Sequence, residues 1–241
     1  MKKVLVLGAN GATGSLLVQQ LLQKGMNVIA IVRTPNTLKQ LIGAQVNLKE
    51  VEADISAISE KDLAQYLDKC DAVLSCLGHN LTLKGVFGHP KFLVTDAVEK
   101  VSRVLESINP KRKVKFILMN STGNSNRDIP EIPPLSQRFV ISILRLLLPP
   151  HVDNEKAADF LRLNISHKHS CIEWVAVRPD SLTDEGIVTH YDIFTSPTRN
   201  AIFDSAPTSR INVANFMTNL VTNEDLWHEW KGKMPVVYNH V

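Results

Sequence analysis

Apolar positions along the chain fall into short, wholly apolar runs separated by stretches with helical spacing. Val4 to Leu7 and Val28 to Val32 are two such runs, too short for buried helices and rich in the β-branched residues that strands favour. Between them Leu16, Leu17, Val18, Leu21 and Leu22 share one helical face. That stripe stops at Lys24-Gly25, as a glycine-terminated helix does. Strand, helix and strand within about 30 residues make one βαβ unit. The alternation continues with a strand over Asn47 to Val51, a helix over Ser59 to Tyr66 opened by a Ser-x-x-Asp capping box, and a strand over Ala72 to Leu77. A helix over Thr95 to Ile108 and a strand over Val114 to Met119 follow.

Beyond Asn124 the rhythm changes. Pro130, Pro133 and Pro134 break regular structure before a helix over Gln137 to Leu148, which Pro149-Pro150 closes. A helix over Asn154 to Leu163, a strand over Glu173 to Val177, a helix over Asn212 to Val221 and a strand over Pro235 to Tyr238 restore the pattern. The prediction is an α/β fold: a Rossmann-type doubly wound parallel sheet with helices on both faces. Residues 124–150 read as an insertion over the sheet and 180–210 as a long loop able to act as a substrate lid.

Composition narrows this picture. A chain of 241 residues that is 44% hydrophobic, without repeats or low-complexity tracts, reads as one domain over 1–241. A net charge of +3, with no dense basic block interleaved with aromatics, argues against nucleic acid. The longest apolar segment, Phe139 to Leu148, is interrupted by Arg145 and falls short of the roughly 20 residues of a membrane span. Met1-Lys-Lys leads straight into the first strand with no signal-peptide pattern. Cys70, Cys76 and Cys171, an odd set, read as reduced thiols, so a cytoplasmic location is expected.

The candidate chemistry starts at Gly8-Ala-Asn-Gly-Ala-Thr-Gly14, between the first strand and first helix. In such a turn Gly8 lets the chain reverse, Gly11 lets backbone approach a pyrophosphate, and Gly14 lets helix pack on strand. The amides opening the helix around Ala12 and Thr13 then face the phosphates, with Asn10 in the turn. This makes 1–241 a candidate NAD(P)-binding domain. At the end of the second strand NAD sites place an acid, whereas here Arg33-Thr34 stands, with no acid before Glu50. An arginine suits the 2′-phosphate, so NADP(H) is the expected cofactor. Asp54 and Ile55 after the third strand suit the adenine; Cys76, Leu77 and Gly78 after the fourth suit the ribose and nicotinamide half. His79 is either a ligand contact or an exposed loop histidine. His167-x-His169 with Cys171 lacks a full ligand set, and no metal is expected. Phe194 and Phe203 can stack on a planar substrate or pack the lid, while Trp227 and Trp230 read as a helical packing pair.

Gly8 to Gly14, the Val32-Arg33 strand end, Asp54, Leu77-Gly78, Ser121 and Trp174-Val-Ala-Val-Arg-Pro179 together resemble the atypical short-chain dehydrogenase/reductases. Within them the chain is most similar to the NmrA-like NAD(P)H-binding group that includes biliverdin-IXβ/flavin reductases. The resemblance covers almost all of the chain except about 128–150. It implies that Ser121 lies beside the nicotinamide, and that Lys156 sits on the helix where typical relatives carry a catalytic Tyr-x-x-x-Lys pair. It also implies that the backbone at Pro179 covers the nicotinamide face. Ser121 has a plain turn as its alternative, Lys156 a solvated lysine, and Pro179 a chain-directing role. Tyr66, Tyr191 and Tyr238 are not followed by lysine four residues on, which argues against an alcohol-dehydrogenase mechanism. The expected function is an NADPH-dependent reductase that passes hydride to a small conjugated acceptor such as a flavin or quinone. The alternative is a non-catalytic NADP-binding sensor or assembly protein with a protein partner.

Overall fold

In a computed structural model describing residues 1–79, 90–132 and 134–240, the first strand β1 (Lys3–Leu7) runs into helix α1 (Ala12–Gln23) and strand β2 (Asn27–Val32). There follow α2 (Thr37–Ile42), β3 (Leu48–Glu52), α3 (Glu60–Leu67), β4 (Ala72–Ser75), α4 (Leu93–Ile108) and β5 (Val114–Met119). The second half contains α5 (Leu135–Leu147), α6 (Pro149–Phe160), β6 (Ile172–Pro179), β7 (Ser181–Thr183) and β8 (Tyr191–Phe194). It ends with β9 (Pro207–Ser209), α7 (Arg210–Thr222), α8 (Glu224–Trp230) and β10 (Val236–Asn239). Pro133 lies outside the described residues.

The main sheet has the order β3-β2-β1-β4-β5-β6-β10-β8, parallel except for β8, which pairs antiparallel with β10. Its strands carry side chains to two faces with period two. Leu5 and Leu7 of β1 join the core under α3, α4 and α6, while Val4 and Val6 join the core under α1, α7 and α8. Trp227 and Trp230 pack into that second core. From β1 the chain builds outward through β2 and β3, then crosses to β4 on the other side. A crevice opens at this reversal, beyond the carboxyl ends of β1 and β4.

Several boundaries differ from the sequence expectation for physical reasons. Pro149 and Pro150 open α6 instead of merely closing α5, because proline's missing N–H costs nothing in the first turn of a helix. The α6 helix therefore starts at Pro149, not near Asn154, and continues into a π-helical turn over Leu161–Ile165. Helix α2, absent from the sequence reading, buries only Leu38, too little to produce an apolar stripe. The 180–210 segment, expected as a loop, contains β7, β8 and β9, with β7 and β9 forming a separate parallel pair. These strands are three or four residues long, below the length at which alternation is visible.

Candidate cofactor and acceptor site

At the crevice, Gly8 has φ +72, and a Cβ on it would lie 2.6 Å from the Cys76 carbonyl carbon and oxygen. A Cβ on Gly14 would meet the Gly8 carbonyl oxygen at 2.1 Å. Two glycines are thus required by backbone-to-backbone packing. Gly11 donates its N–H to Gly8 O at 3.0 Å and stands at the N-cap of α1, where no side chain caps the helix. The first turn of α1 also holds no acid, so its amides and partial positive charge are left for an anionic group.

A cavity of about 390 Å³ lies against this turn. It gathers Gly8, Asn10, Gly11, Arg33, Thr34, Asp54, Ile55, Cys76, Leu77 and Gly78 from four successive strand ends. Ala12 and Thr13 open α1 beside it, and Gly14 packs beneath. Asn10 Nδ2 donates to Thr34 O at 3.1 Å, joining the glycine turn to the end of β2. Arg33 is exposed and has no ion-pair partner among the described residues. Asp54 Oδ1 accepts from the Ser56 amide at 2.8 Å, an Asx turn that leaves Oδ2 for a donor. Burial pushes the Cys76 thiol up to about 12, so it lines the cavity as a neutral group. The α2 residue Thr37 also lines the cavity; the one signal for a helix start there is the Thr34-Pro35-Asn36 turn before it.

Ser121, Lys156 and Pro179 are not among the residues that line that cavity. Ser121 Oγ accepts from the Gly123 amide at 3.0 Å, so the hydroxyl proton remains available to donate. Pro179 is buried at the end of β6, and its carbonyl accepts from the Thr122 amide at 3.1 Å. Lys156 is exposed, its Nζ 3.9 Å from the centre of the Phe92 ring. His79 is not an exposed loop histidine: its side chain is 5% exposed and Nε2 lies 2.8 Å from Asp153 Oδ2. The fully buried Asp153 carboxylate also accepts from the Val94 and Thr95 amides and from Thr95 Oγ1. A side chain of α6 therefore caps α4 and anchors the chain leaving β4.

A residue absent from the sequence candidates is His151, in the first turn of α6. Its Cε1 and Ser121 Oγ lie 3.4 and 3.2 Å from the same point beside Gly123, and its Nε2 is 3.5 Å from Glu155 Oε1. Glu155 is held in turn by Arg145 of α5, with Nη2 donating at 2.8 Å and Nε at 2.8 Å. Burial alone would raise the Glu155 carboxyl, but His151 close beside it and the hydrogen bonds from Arg145 outweigh it and hold the group at about 2. The signal in the sequence was the i, i+4 spacing, obscured by placing the helix start too late.

Further out, a second cavity of about 470 Å³ lies between 124–150 and the segment after β8. Thr122, Ser125, Glu131 and Gln137 form one wall, and Ser196 to Asn200 with Asp204 form the other. Arg178, wholly buried at the end of β6, ties these walls together. It donates to Asn124 O and Glu131 Oε2 on one side, and to Thr195 O and Met234 O on the other. Thr122 Oγ1 and the Ala206 amide both donate to Asp180, whose carboxyl burial pushes up. Phe203 is 62% exposed, while Phe194 tilts against Tyr238 at 5.9 Å. His169 is engaged by Glu106 and by the Cys171 amide.

A family model for NAD(P)H-binding proteins matches residues 8–224. The chain belongs to this NAD(P)H-binding family. Its sheet order and parallel strands are those of the Rossmann-type α/β fold expected from the sequence. Tetraketide alpha-pyrone reductase 1 of Arabidopsis thaliana is 30% identical over 135 residues, 52% of this chain. That match spans only 39% of the plant enzyme. Among solved structures, a candidate NADH-flavin reductase of Streptococcus pneumoniae superposes with TM-score 0.67 at 17% identity, covering 100% of both chains. A wide-type short-chain dehydrogenase/reductase of Veillonella parvula, in complex with NADP, has TM-score 0.67 at 16% identity and covers 99% of this chain and 94% of its own. Among the described residues of this NAD(P)H-binding protein no helix is long and apolar enough to cross a membrane.

Proposed function

We propose that the protein is an NADPH-dependent reductase of a small, flat, conjugated acceptor. The observation that carries this is the uncapped α1 N-terminus facing a cavity whose far end presents Arg33 without an ion-pair partner among the described residues. The α1 amides and Gly11 would hold the pyrophosphate, Arg33 and Thr34 the 2′-phosphate, and Asp54 with Ile55 the adenine. When bound there, the dinucleotide supplies hydride. Ser121 orients the acceptor oxygen by donating its hydroxyl proton, and His151, steadied by Glu155 and Arg145, provides the proton that the reduced acceptor takes up. The second cavity, beginning at Thr122, receives the acceptor. The Arabidopsis relative is named for an alpha-pyrone and the pneumococcal structure for a flavin, both conjugated rings.

A second reading, an NADP-binding sensor with a protein partner, is favoured by α5. That helix leaves Leu135, Phe139 and Leu146 at 79%, 69% and 83% exposure, an apolar face of the kind that partners cover. One experiment separates the two: follow NADPH absorbance with a panel of flavins, quinones and enones. Oxidation with at least one acceptor is expected. NADPH binding without oxidation across the panel rejects the reductase and leaves the sensor.

A further inference from the structure

At the outer edge of the sheet, the antiparallel ladder of β8 and β10 pairs Asn239 with Tyr191, so the next residues, His240 and His190, face each other. The His240 amide donates to the His190 carbonyl at 3.0 Å, extending the ladder to this pair. Their rings meet edge to face with centroids 4.8 Å apart. Asp192 lies two residues beyond His190 and hence on the same face of the strand, with Oδ2 2.8 Å from His240 Nδ1. One ligand atom from each of the three residues falls within 4.8 Å of the others.

We infer that His190, Asp192 and His240 form a binding site for a divalent transition-metal ion of the zinc type. Two imidazoles and one carboxylate suit zinc and exclude magnesium, which requires oxygen ligands. A tetrahedral ion with bonds of about 2.0–2.1 Å needs its ligand atoms about 3.3 Å apart. Closing from 4.8 Å requires only small turns about side-chain bonds, and the His240 and Asp192 side chains, 57% and 40% exposed, are free to make them. The backbone that carries them is fixed by the ladder, which supplies the preorganisation. Three protein ligands leave the fourth position to water.

The ion has a structural consequence. Among the described residues strand β8 joins the sheet through β10 alone, and the chain leaving it at Phe194 becomes the Ser196 to Asn200 wall of the second cavity. Cross-linking β8 to the end of β10 therefore fixes that wall.

The test uses the full chain stripped with a chelator and titrated by calorimetry with zinc chloride, then with magnesium chloride. Zinc should bind one to one, and zinc at ten times its Kd should raise Tm by roughly 3–6 °C. Magnesium should do neither. In the triple variant His190→Asn, Asp192→Asn, His240→Asn, which leaves the core untouched, zinc affinity should fall about 100-fold or more, so that the Tm shift at the same zinc concentration vanishes. Stoichiometric zinc binding that survives in the triple variant, for instance at His167 and His169, overturns the site, as does failure of the wild-type chain to bind zinc. Neither result depends on whether the protein turns over NADPH.

Discussion

Around the first cavity the groups that set the geometry belong to the main chain. Gly8, Gly11 and Gly14 shape the turn, the α1 amides face the cavity, and strand ends deliver Arg33, Asp54 and Gly78 side by side. At the second cavity and through the 124–162 segment that leads from it, the contacts are made by charged side chains reaching across the sequence. Arg178 meets Glu131 across 47 residues, Arg162 meets Asp128 across 34, and Arg145 meets Glu155 across 10. The difference separates what every dinucleotide site must share, a backbone cradle for a diphosphate, from what can vary with the acceptor. It also divides the molecule by vulnerability. The glycine-turn end should fail by steric change, and the end proposed to take the acceptor by titration.

The sharpest way to break the comparison is Gly8→Val. A valine there must adopt positive φ and place Cβ 2.6 Å from the Cys76 carbonyl, with backbone on both sides unable to yield. The expected cost is about 2–4 kcal/mol in stability, read by urea unfolding, together with loss of NADPH binding. A variant of native stability with unchanged NADPH affinity would remove the backbone account of the cofactor end.

Arg33→Glu sharpens the same half at lower amplitude. NADPH affinity should fall about 100-fold in a fluorescence titration while NADH affinity changes little, since one charge-assisted contact to a phosphate is lost and a repulsion gained. Because Arg33 is exposed, stability should stay within about 0.5 kcal/mol. Equal losses for both nucleotides would mean that Arg33 does not read the 2′-phosphate.

The same division explains what the sequence could disclose. The turn from β1 into α1 is local: strand pattern, three glycines and helical stripe lie within about 30 residues, and each glycine has a physical requirement visible in its spacing. Arg33 and Asp54 followed because strand ends in a parallel sheet converge. The acceptor side offered no such period. Placing Arg178 against Glu131, or Asp153 under the first turn of α4, requires knowing which distant segments meet. His79 illustrates the limit, since the Asp153 carboxylate that Nε2 meets comes from a helix that opens on the Pro149-Pro150 pair, 70 residues on in the chain. Strands β7 to β9 were too short to alternate visibly, and so residues 180–210 read as loop.

Titration probes the acceptor half with the smallest expected effect. Glu155 sits at about 2 in the folded protein against an ordinary value of 4.5. Its folded value is the lower one, so its contribution to stability is complete above about 4.5 and disappears as pH falls toward 2. Arg145 is 45% exposed, and solvent screening there reduces the contribution to about 1–2 kcal/mol. Glu155→Gln should therefore be less stable than the wild-type chain at pH 7, with the gap narrowing as pH falls from 4.5 toward 2.5. Glu224, also held at about 2 by Lys2 and Lys115, titrates over the same interval in both proteins. The difference between the two curves cancels it and isolates Glu155. In urea unfolding at the two pH values, a gap that stays constant would mean that Arg145 and His151 do not hold Glu155 as an ion, and that the acceptor half is less dependent on charge than its contacts suggest.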